Sequence, residues 1–194
     1  MIRVLVINGH PGIQSLSRQI AESYATGAKQ AGHSVRMTQL SEMTFDMDHG
    51  EGGYRRLKPL EPDLERFLDD LNWANHVVLS TPMWWGGLPG KLKGLLDRTL
   101  LPGRTFDPRT IVRGAPKPLL SGRTARVFMT SDTPAWAMAA IYGNALFKQL
   151  RRQIFGFVGI KPTRITHFNR ASHPDSTQVQ RWLQRAAELG AAAR

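Results

Sequence analysis

The chain contains no cysteine, which removes at once a disulfide framework, a thiol nucleophile, a cysteine-held iron–sulfur cluster and a thiolate zinc site. Acidic residues are scarce: 15 Asp and Glu face 26 Lys and Arg, a formal net charge of +11. Such a surplus draws phosphate-bearing ligands, nucleic acid or an acidic membrane surface, and by itself does not choose among them. Long apolar runs are missing too. Nothing approaches the roughly 20 residues that span a bilayer, and the opening MIRVLVINGHP has neither the apolar region nor the small-residue cleavage site of a secretory signal. A cytoplasmic protein without membrane insertion is expected.

Several catalytic signatures are also lacking. There is no GxGxxG, Gly90-Lys91 has neither the preceding P-loop pattern nor a following Ser or Thr, and no GxSxG occurs, which argues against a standard Rossmann dehydrogenase, a P-loop ATPase and a nucleophile-elbow hydrolase. Histidines stand at 10, 33, 49, 76, 167 and 173 without an i, i+4 pair, and His33, His76 and His167 flank strands, where a hydrogen-bonded structural histidine is the default. Asp46 to Glu51 imitates the opening of a calcium loop, but Gly50 takes a ligand position and the terminal Glu is absent. No metal is predicted. The basic residues, among them Arg98, Arg104, Arg109, Arg123, Lys148 and Arg164, are spread out without a block; with no zinc-finger, RNP or basic-zipper pattern beside them, nucleic acid is not an expected partner.

What is present is the composition of one globular domain over residues 1–194, with 41% hydrophobic residues, 18 Gly and 12 Pro, long enough to bury roughly 70% of its unfolded surface. RVLVI at 3–7 reads as a strand buried on both faces, closed by Asn8, Gly9 and Pro11. From Ser15 to about Ala31, Leu16, Ile20, Tyr24 and Ala28 recur four apart and Gly32 stands where a helix-ending glycine belongs. The cycle repeats: SVRMTQL as strand, about 63 to 75 as helix, HVVLST as strand, LPGKLKGLLDRTLL as helix, TARVFMTS as strand. A further helix is predicted with Thr133 as cap and Pro134 at its first position, then TRITHF as the fifth strand. A last helix opens at Asp175, which has capping-box spacing to Gln178. Five strand–helix units in alternation predict a three-layer α/β domain with a parallel sheet. Residues 41–61 and 102–122 show no clear periodicity.

In such sheets ligands bind beyond the carboxyl ends of the strands, where strand order reverses. The loop after the first strand, Asn8 to Ser17, offers glycines, His10, Ser15 and Ser17 at a helix start, a ready phosphate site; simple helix capping by Ser15 or Ser17 accounts for the same residues equally well. The loop after the third strand, Ser80-Thr81-Pro82-Met83-Trp84-Trp85-Gly86-Gly87-Leu88-Pro89, carries adjacent tryptophans that a planar ligand would cover, with a hydrophobic corner or subunit interface as the competing reading. After the fourth strand, Thr130-Ser131-Asp132-Thr133-Pro134-Ala135-Trp136 adds polar groups and a further aromatic. A phosphate pocket beside an aromatic slot fits a flavin mononucleotide moiety better than a sugar or a peptide.

These segments, VLVINGHP with SLS, TPMWWGGLPGKLKGLLDRTLLPG, MTSDTP and GFVGIKP, resemble the flavodoxin-fold NAD(P)H:quinone oxidoreductase family over nearly the whole chain; PMWWGGLPGKLKG is the most specific piece. Relatives include proteins resembling the ancillary subunit of glutathione-gated potassium efflux systems. The resemblance implies a flavodoxin-like sandwich with a five-stranded parallel sheet in the order 2-1-3-4-5. It implies an FMN or FAD cofactor with its phosphate side at His10, Ser15, Leu16 and Ser17, its ring at Pro82, Met83, Trp84, Trp85 and Gly86, and its pyrimidine edge at Thr130, Ser131, Asp132 and Thr133. Trp136, Tyr142 and Phe157 would line the substrate pocket, with Tyr142 the candidate proton donor and Phe157 reaching a partner subunit's site in a homodimer. NAD(P)H would give hydride to the flavin and a quinone would then take two electrons, with backbone N–H groups around Trp85 and Gly86 stabilising the developing charge. One departure stands out: several quinone reductases carry glycines where this chain has Asp132 and Thr133. Azo or nitro reduction and a regulatory role on a potassium efflux system are the alternatives; a flavodoxin-type electron carrier is disfavoured, because such carriers are generally acidic.

Overall fold

The computed structural model describes residues 1–50 and 57–193. Its central feature is a five-stranded parallel sheet built from β1 (Arg3–Asn8), β2 (Ser34–Gln39), β3 (His76–Pro82), β6 (Thr124–Ser131) and β7 (Thr163–Asn169), in the order β2-β1-β3-β6-β7. Counting only these strands, the order is the 2-1-3-4-5 that the resemblance implies. The register sets Val6 of β1 beside Met37 and Val78, and Val127 of β6 beside Leu79 and Ile165.

The alternation of side chains along a strand explains the two outer layers. Val4 and Val6 point to one face, where they meet Ile20, Tyr24 and Ala28 of α1 (Leu16–Gln30) and Ala186 and Leu189 of α7 (Ser176–Ala191). Leu5 and Ile7 point to the other, against Leu64, Phe67 and Leu71 of α2 (Pro62–Trp73) and Leu92 and Leu95 of α3 (Gly90–Thr99). Every residue of β3 is buried, as a central strand covered on both faces requires. Helices α1 and α7 cross on glycine: a Cβ on Gly27 would lie 2.0 Å from the Ala187 carbonyl oxygen, and one on Gly190 would lie 2.1 Å from that of Tyr24. Any larger residue at either position forces the two helices apart.

Most element ends fall near their expected places, and the capping chemistry is explicit. Ser15 Oγ accepts from Arg18 N at 3.1 Å and Asp175 accepts from Gln178 N at 2.7 Å. Thr133 does not cap a helix. Pro134 itself takes the cap position with extended ψ, and α4 begins one residue later (Ala135–Ala140) with no side-chain cap bond. Gly143 and Asn144, both left-handed, break the path before α5 (Ala145–Gln149). A π-helical segment Leu150–Ile154 then leads into α6 (Phe155–Val158). Residues 102–122, aperiodic in sequence, contain an antiparallel hairpin of β4 (Phe106–Val112) and β5 (Ala115–Pro118) turning through left-handed Arg113 and Gly114. Six of the seven β4 residues are not buried, so no apolar alternation marks the strand.

The described part of residues 41–61 is pinned by Arg98, whose buried guanidinium donates to the carbonyls of Asp46, Asp48 and Pro59 and pairs with Glu61 at 2.9 Å. Asp46 and Asp48 spend carboxylate oxygens on the N–H groups of Asp48 and Gly50; Glu51, the last residue of the calcium-like stretch, lies outside the described residues. The flanking histidines are hydrogen-bonded. His33 Nδ1 accepts from Ile2 N, His76 Nδ1 sits 2.6 Å from Thr124 Oγ1, and His167 Nε2 sits 2.8 Å from Ser131 Oγ.

Candidate active site

At the carboxyl ends of β1, β3 and β6 a cavity of about 280 Å³ is lined by His10, Gln14, Ser15, Leu16, Ser17, Pro82, Met83, Trp84, Thr130, Ser131, Asp132, Ala171 and Ser172. A second, of about 560 Å³, is lined by Met83, Trp85, Gly86, Ser131, Asp132, Thr133, Met138, Tyr142, Ala145 and Leu146. They share Met83, Ser131 and Asp132 and so adjoin. Chain order places them there: from β1 the chain runs outward to β2 and returns to β3 on the other side, which opens a crevice between β1 and β3.

The first loop is shaped from within. Buried Asn8 accepts from His10 N at 3.2 Å and donates to Gln39 at 2.9 Å. His10 Nδ1 lies 2.9 Å from Gly12 N and 3.4 Å from Gly12 O; the shorter contact, accepted by Nδ1, goes with the proton of a neutral ring on Nε2. Ser15 caps α1, leaving the N–H groups of Leu16 and Ser17 without a protein partner among the described residues. Ser15 spends its hydroxyl on the cap, and the unpaired donors and the positive end of the helix dipole face the smaller cavity, an arrangement that suits an anion.

In the second loop Trp84 and Gly87 exchange backbone hydrogen bonds at 3.0 and 2.9 Å, closing a two-residue turn on Trp85 and Gly86. Both central residues have positive φ, 51° and 75°, as a type I′ turn demands. Glycine takes this without strain; tryptophan does not, and a bulky residue held left-handed costs about 1–2 kcal/mol. The Trp85 side chain is fully exposed and that of Trp84 partly so, packing edge-on to His10 with ring centroids 5.4 Å apart. The N–H groups of Trp85 and Gly86 have no protein partner among the described residues.

The third wall is tied to the loop after β7. Met83 N donates to Thr130 O at 2.8 Å, Ala171 N to Ser131 O at 3.1 Å, and Ser172 N to Asp132 Oδ1 at 2.8 Å, with the Ser172 hydroxyl on Oδ2. The two Ser172 donors hold the Asp132 carboxyl below the ordinary carboxylate range, so it is ionised at neutral pH. Burial pushes His167 down, keeping it neutral against Ser131.

Of the residues singled out in the sequence, His10, Ser15, Leu16, Ser17, Pro82, Met83, Trp84, Thr130, Ser131 and Asp132 line the smaller cavity, and Trp85, Gly86, Thr133 and Tyr142 the larger. Two stand elsewhere. Trp136 is exposed on α4, outside both linings, and Phe157 packs on Phe106 with centroids 5.0 Å apart, in a separate groove. Sequence reasoning missed Gln14, Met138, Ala145, Leu146 and the Ala171–Ser172 segment. Ser172 stands on the loop after the fifth strand, and the carboxyl-end rule would have picked out that loop had it been applied there.

Free helix-start donors at one end, an aromatic turn beside them and an adjoining, largely apolar chamber lie together at the topological switch point of a doubly wound α/β fold, where the chemistry of the lining suits an anionic, planar ligand. The chain belongs to the family described by its flavodoxin-like fold, whose model matches residues 2–189. An uncharacterized NAD(P)H oxidoreductase of Haemophilus influenzae is 30% identical over 65% of this chain and 62% of its own length. Here the match spans less than two thirds of that relative. An FMN-dependent NADH:quinone oxidoreductase of Ruegeria pomeroyi is 25% identical over 92% of this chain and 94% of its own. A crystal structure from Streptococcus mutans UA159 superposes with a TM-score of 0.83 at 25% identity, covering 98% of this chain and 100% of that one.

Proposed function

We propose that this chain, acting as a single domain over residues 1–194, is an NAD(P)H-dependent flavoprotein oxidoreductase that delivers electrons to a quinone, donor and acceptor using one chamber in turn. The observation that carries the reading is the pair of adjoining cavities, one ending on unpartnered helix-start donors and the other walled by aromatic and aliphatic side chains. Relatives named as FMN-dependent NADH:quinone oxidoreductases support it.

Hydride acceptance from NAD(P)H and two-electron delivery to a quinone are the chemistry a bound flavin supplies. The residues present fit that group. Leu16 and Ser17 N–H and His10 Nε2 would hold its phosphate, Pro82 to Gly86 its ring, and Thr130 to Thr133 its polar edge. The free N–H groups of Trp85 and Gly86 are rigidly presented dipoles that favour negative charge developing on a nearby ligand. Tyr142, on the wall of the larger cavity, is assigned the proton at the acceptor oxygen. Trp136 and Phe157, exposed beyond the cavities, are assigned to a homodimer in which a second copy completes the pocket. Among the described residues no helix is long and apolar enough to cross a membrane, in keeping with a cytoplasmic enzyme acting on small acceptors.

The test is an anaerobic titration of the flavin-supplemented protein with NADPH, following the yellow absorption band. Bleaching that a quinone reverses is expected. A protein that retains no flavin overturns the site assignment, and retention without bleaching overturns the enzymatic reading.

A further inference from the structure

Although the chain carries 26 Lys and Arg, neither cavity is lined by a Lys or Arg among the described residues. The larger chamber presents Met83, Trp85, Met138, Tyr142 and Leu146, and among the described residues the Asp132 carboxylate is the only charged side chain that lines it. That carboxylate is not a loose surface group. Both its oxygens are occupied by Ser172, through a backbone N–H at 2.8 Å and through the hydroxyl, which fixes it at the wall shared by the two cavities. His173 on the adjoining loop interacts with it electrostatically.

We propose that Asp132 is a specificity-determining residue that restricts the electron acceptor to uncharged or cationic flat compounds and turns anionic ones away; this rests on the quinone-reductase reading above. An anionic acceptor in the chamber would meet a fixed like charge with no Lys or Arg of the described residues on the wall to offset it, and a largely apolar wall strengthens that repulsion. An uncharged quinone meets no such repulsion. The nucleotide donor satisfies the same rule, because the part that must enter the chamber is its reduced, uncharged nicotinamide ring. The molecule as a whole attracts anions through its net charge of +11, so the selection acts inside the chamber against the field outside it.

The experiment uses the oxidised, flavin-loaded protein without NAD(P)H, at pH 8, above the range in which imidazoles carry charge. Binding of 1,4-naphthoquinone and of its 2-sulfonate is read from quenching of tryptophan fluorescence in the natural protein, in Asp132→Asn and in Asp132→Glu; the ratio of kcat/KM for the same two acceptors is the second readout. The preference for the neutral quinone is expected to shrink by about five- to tenfold in Asp132→Asn and to persist in Asp132→Glu, whatever either change does to the separate affinities. In the natural protein the neutral quinone should outbind its sulfonate at about 500 mM salt, where the attraction of the net +11 charge is screened and the repulsion inside the chamber is screened much less, a measurement that needs no variant to fold. A preference unchanged within twofold in Asp132→Asn, or no preference in the natural protein at high salt, overturns the charge selection and leaves the proposed function standing. Binding of neither quinone by the flavin-loaded protein overturns both.

Discussion

Among the described residues, the donors of Leu16, Ser17, Trp85 and Gly86 at the carboxyl ends of the strands lack protein partners where two cavities open; in the interior near the amino end of β3, the Tyr24 hydroxyl and His76 Nε2 likewise lack partners while shut away from solvent. The chemical groups are similar, and their consequences are opposite. An unpaired donor facing a cavity is hydrated in the free protein and exchanges that water for a ligand, so it is capacity for binding. An unpaired polar group in a dry interior has no such exchange and is a charge against stability of about 1–3 kcal/mol. Burial drives Tyr24 beyond the usual phenol range and pulls His76 down to about 4, the positive charge of Arg126 adding to the effect on His76. The Ser80 hydroxyl, near the carboxyl end of β3, is also buried without a partner among the described residues, so burial, rather than the end of the sheet, decides which unpaired groups cost stability.

The contrast breaks most sharply at the ligand end. Ser17→Asp places a carboxylate among the free helix-start donors, where it takes the role of the anion. Ser17 is buried, so the helix dipole offsets only part of the cost of desolvating the new carboxylate, and urea melts of the flavin-free variant separate lost folding from lost binding. Flavin affinity should fall by at least about 100-fold through like-charge repulsion of the phosphate. Equilibrium dialysis against FMN reads it, and affinity equal to that of the natural protein would remove the phosphate from α1.

At the other end the response is to acid. His76 is neutral in the fold down to about 4 but titrates near 6.5 when unfolded. As pH falls from 7 toward 4 the unfolded chain takes up the proton first, so stability present above 6.5 is progressively lost. Between pH 7 and pH 5 the His76 share of that loss is about 2 kcal/mol. Urea unfolding of the natural protein and of His76→Gln at both pH values isolates it from the carboxylates, which both proteins share. Equal pH slopes in the two would show that His76 is not the group responsible.

How far the sequence reveals this contrast depends on where periodicity survives. The strands of the sheet and helices α1, α2, α3 and α7 were legible because each buries one face or two, and burial writes apolar spacing into the chain. The β4–β5 hairpin was not, because β4 is mostly exposed and interrupted by Pro108, so nothing selects alternation. The path from Pro134 to Val158 was legible only at its start, since its breaks depend on left-handed Gly143 and Asn144. At the site, loops that meet at adjacent strand ends could be grouped by the topological rule alone, and this brought His10, Trp84 and Asp132 onto one cavity wall. The tie from Ser172 to Asp132 joins residues 40 apart, and no local pattern announces it. Trp136 and Phe157 were drawn into the pocket by resemblance, and within one chain the fold holds both outside it.

The smallest effect sharpens the comparison because it should move stability and binding in opposite directions at one residue. Trp85 is left-handed and fully exposed, so its side chain contributes little burial to the free fold while its backbone is strained. Trp85→Gly removes the strain and should stabilise the flavin-free protein by about 1 kcal/mol, less whatever glycine gains in unfolded-state entropy. The same change removes an aromatic face from the turn beside the ring site and should weaken flavin binding by about tenfold, the scale of one lost aromatic stacking contact. Urea melts and flavin dialysis on one preparation read both. If Trp85→Gly lowered stability and left flavin affinity intact, Trp85 would belong with the packed residues of the fold, and the strain in its turn would have no part in holding the ligand.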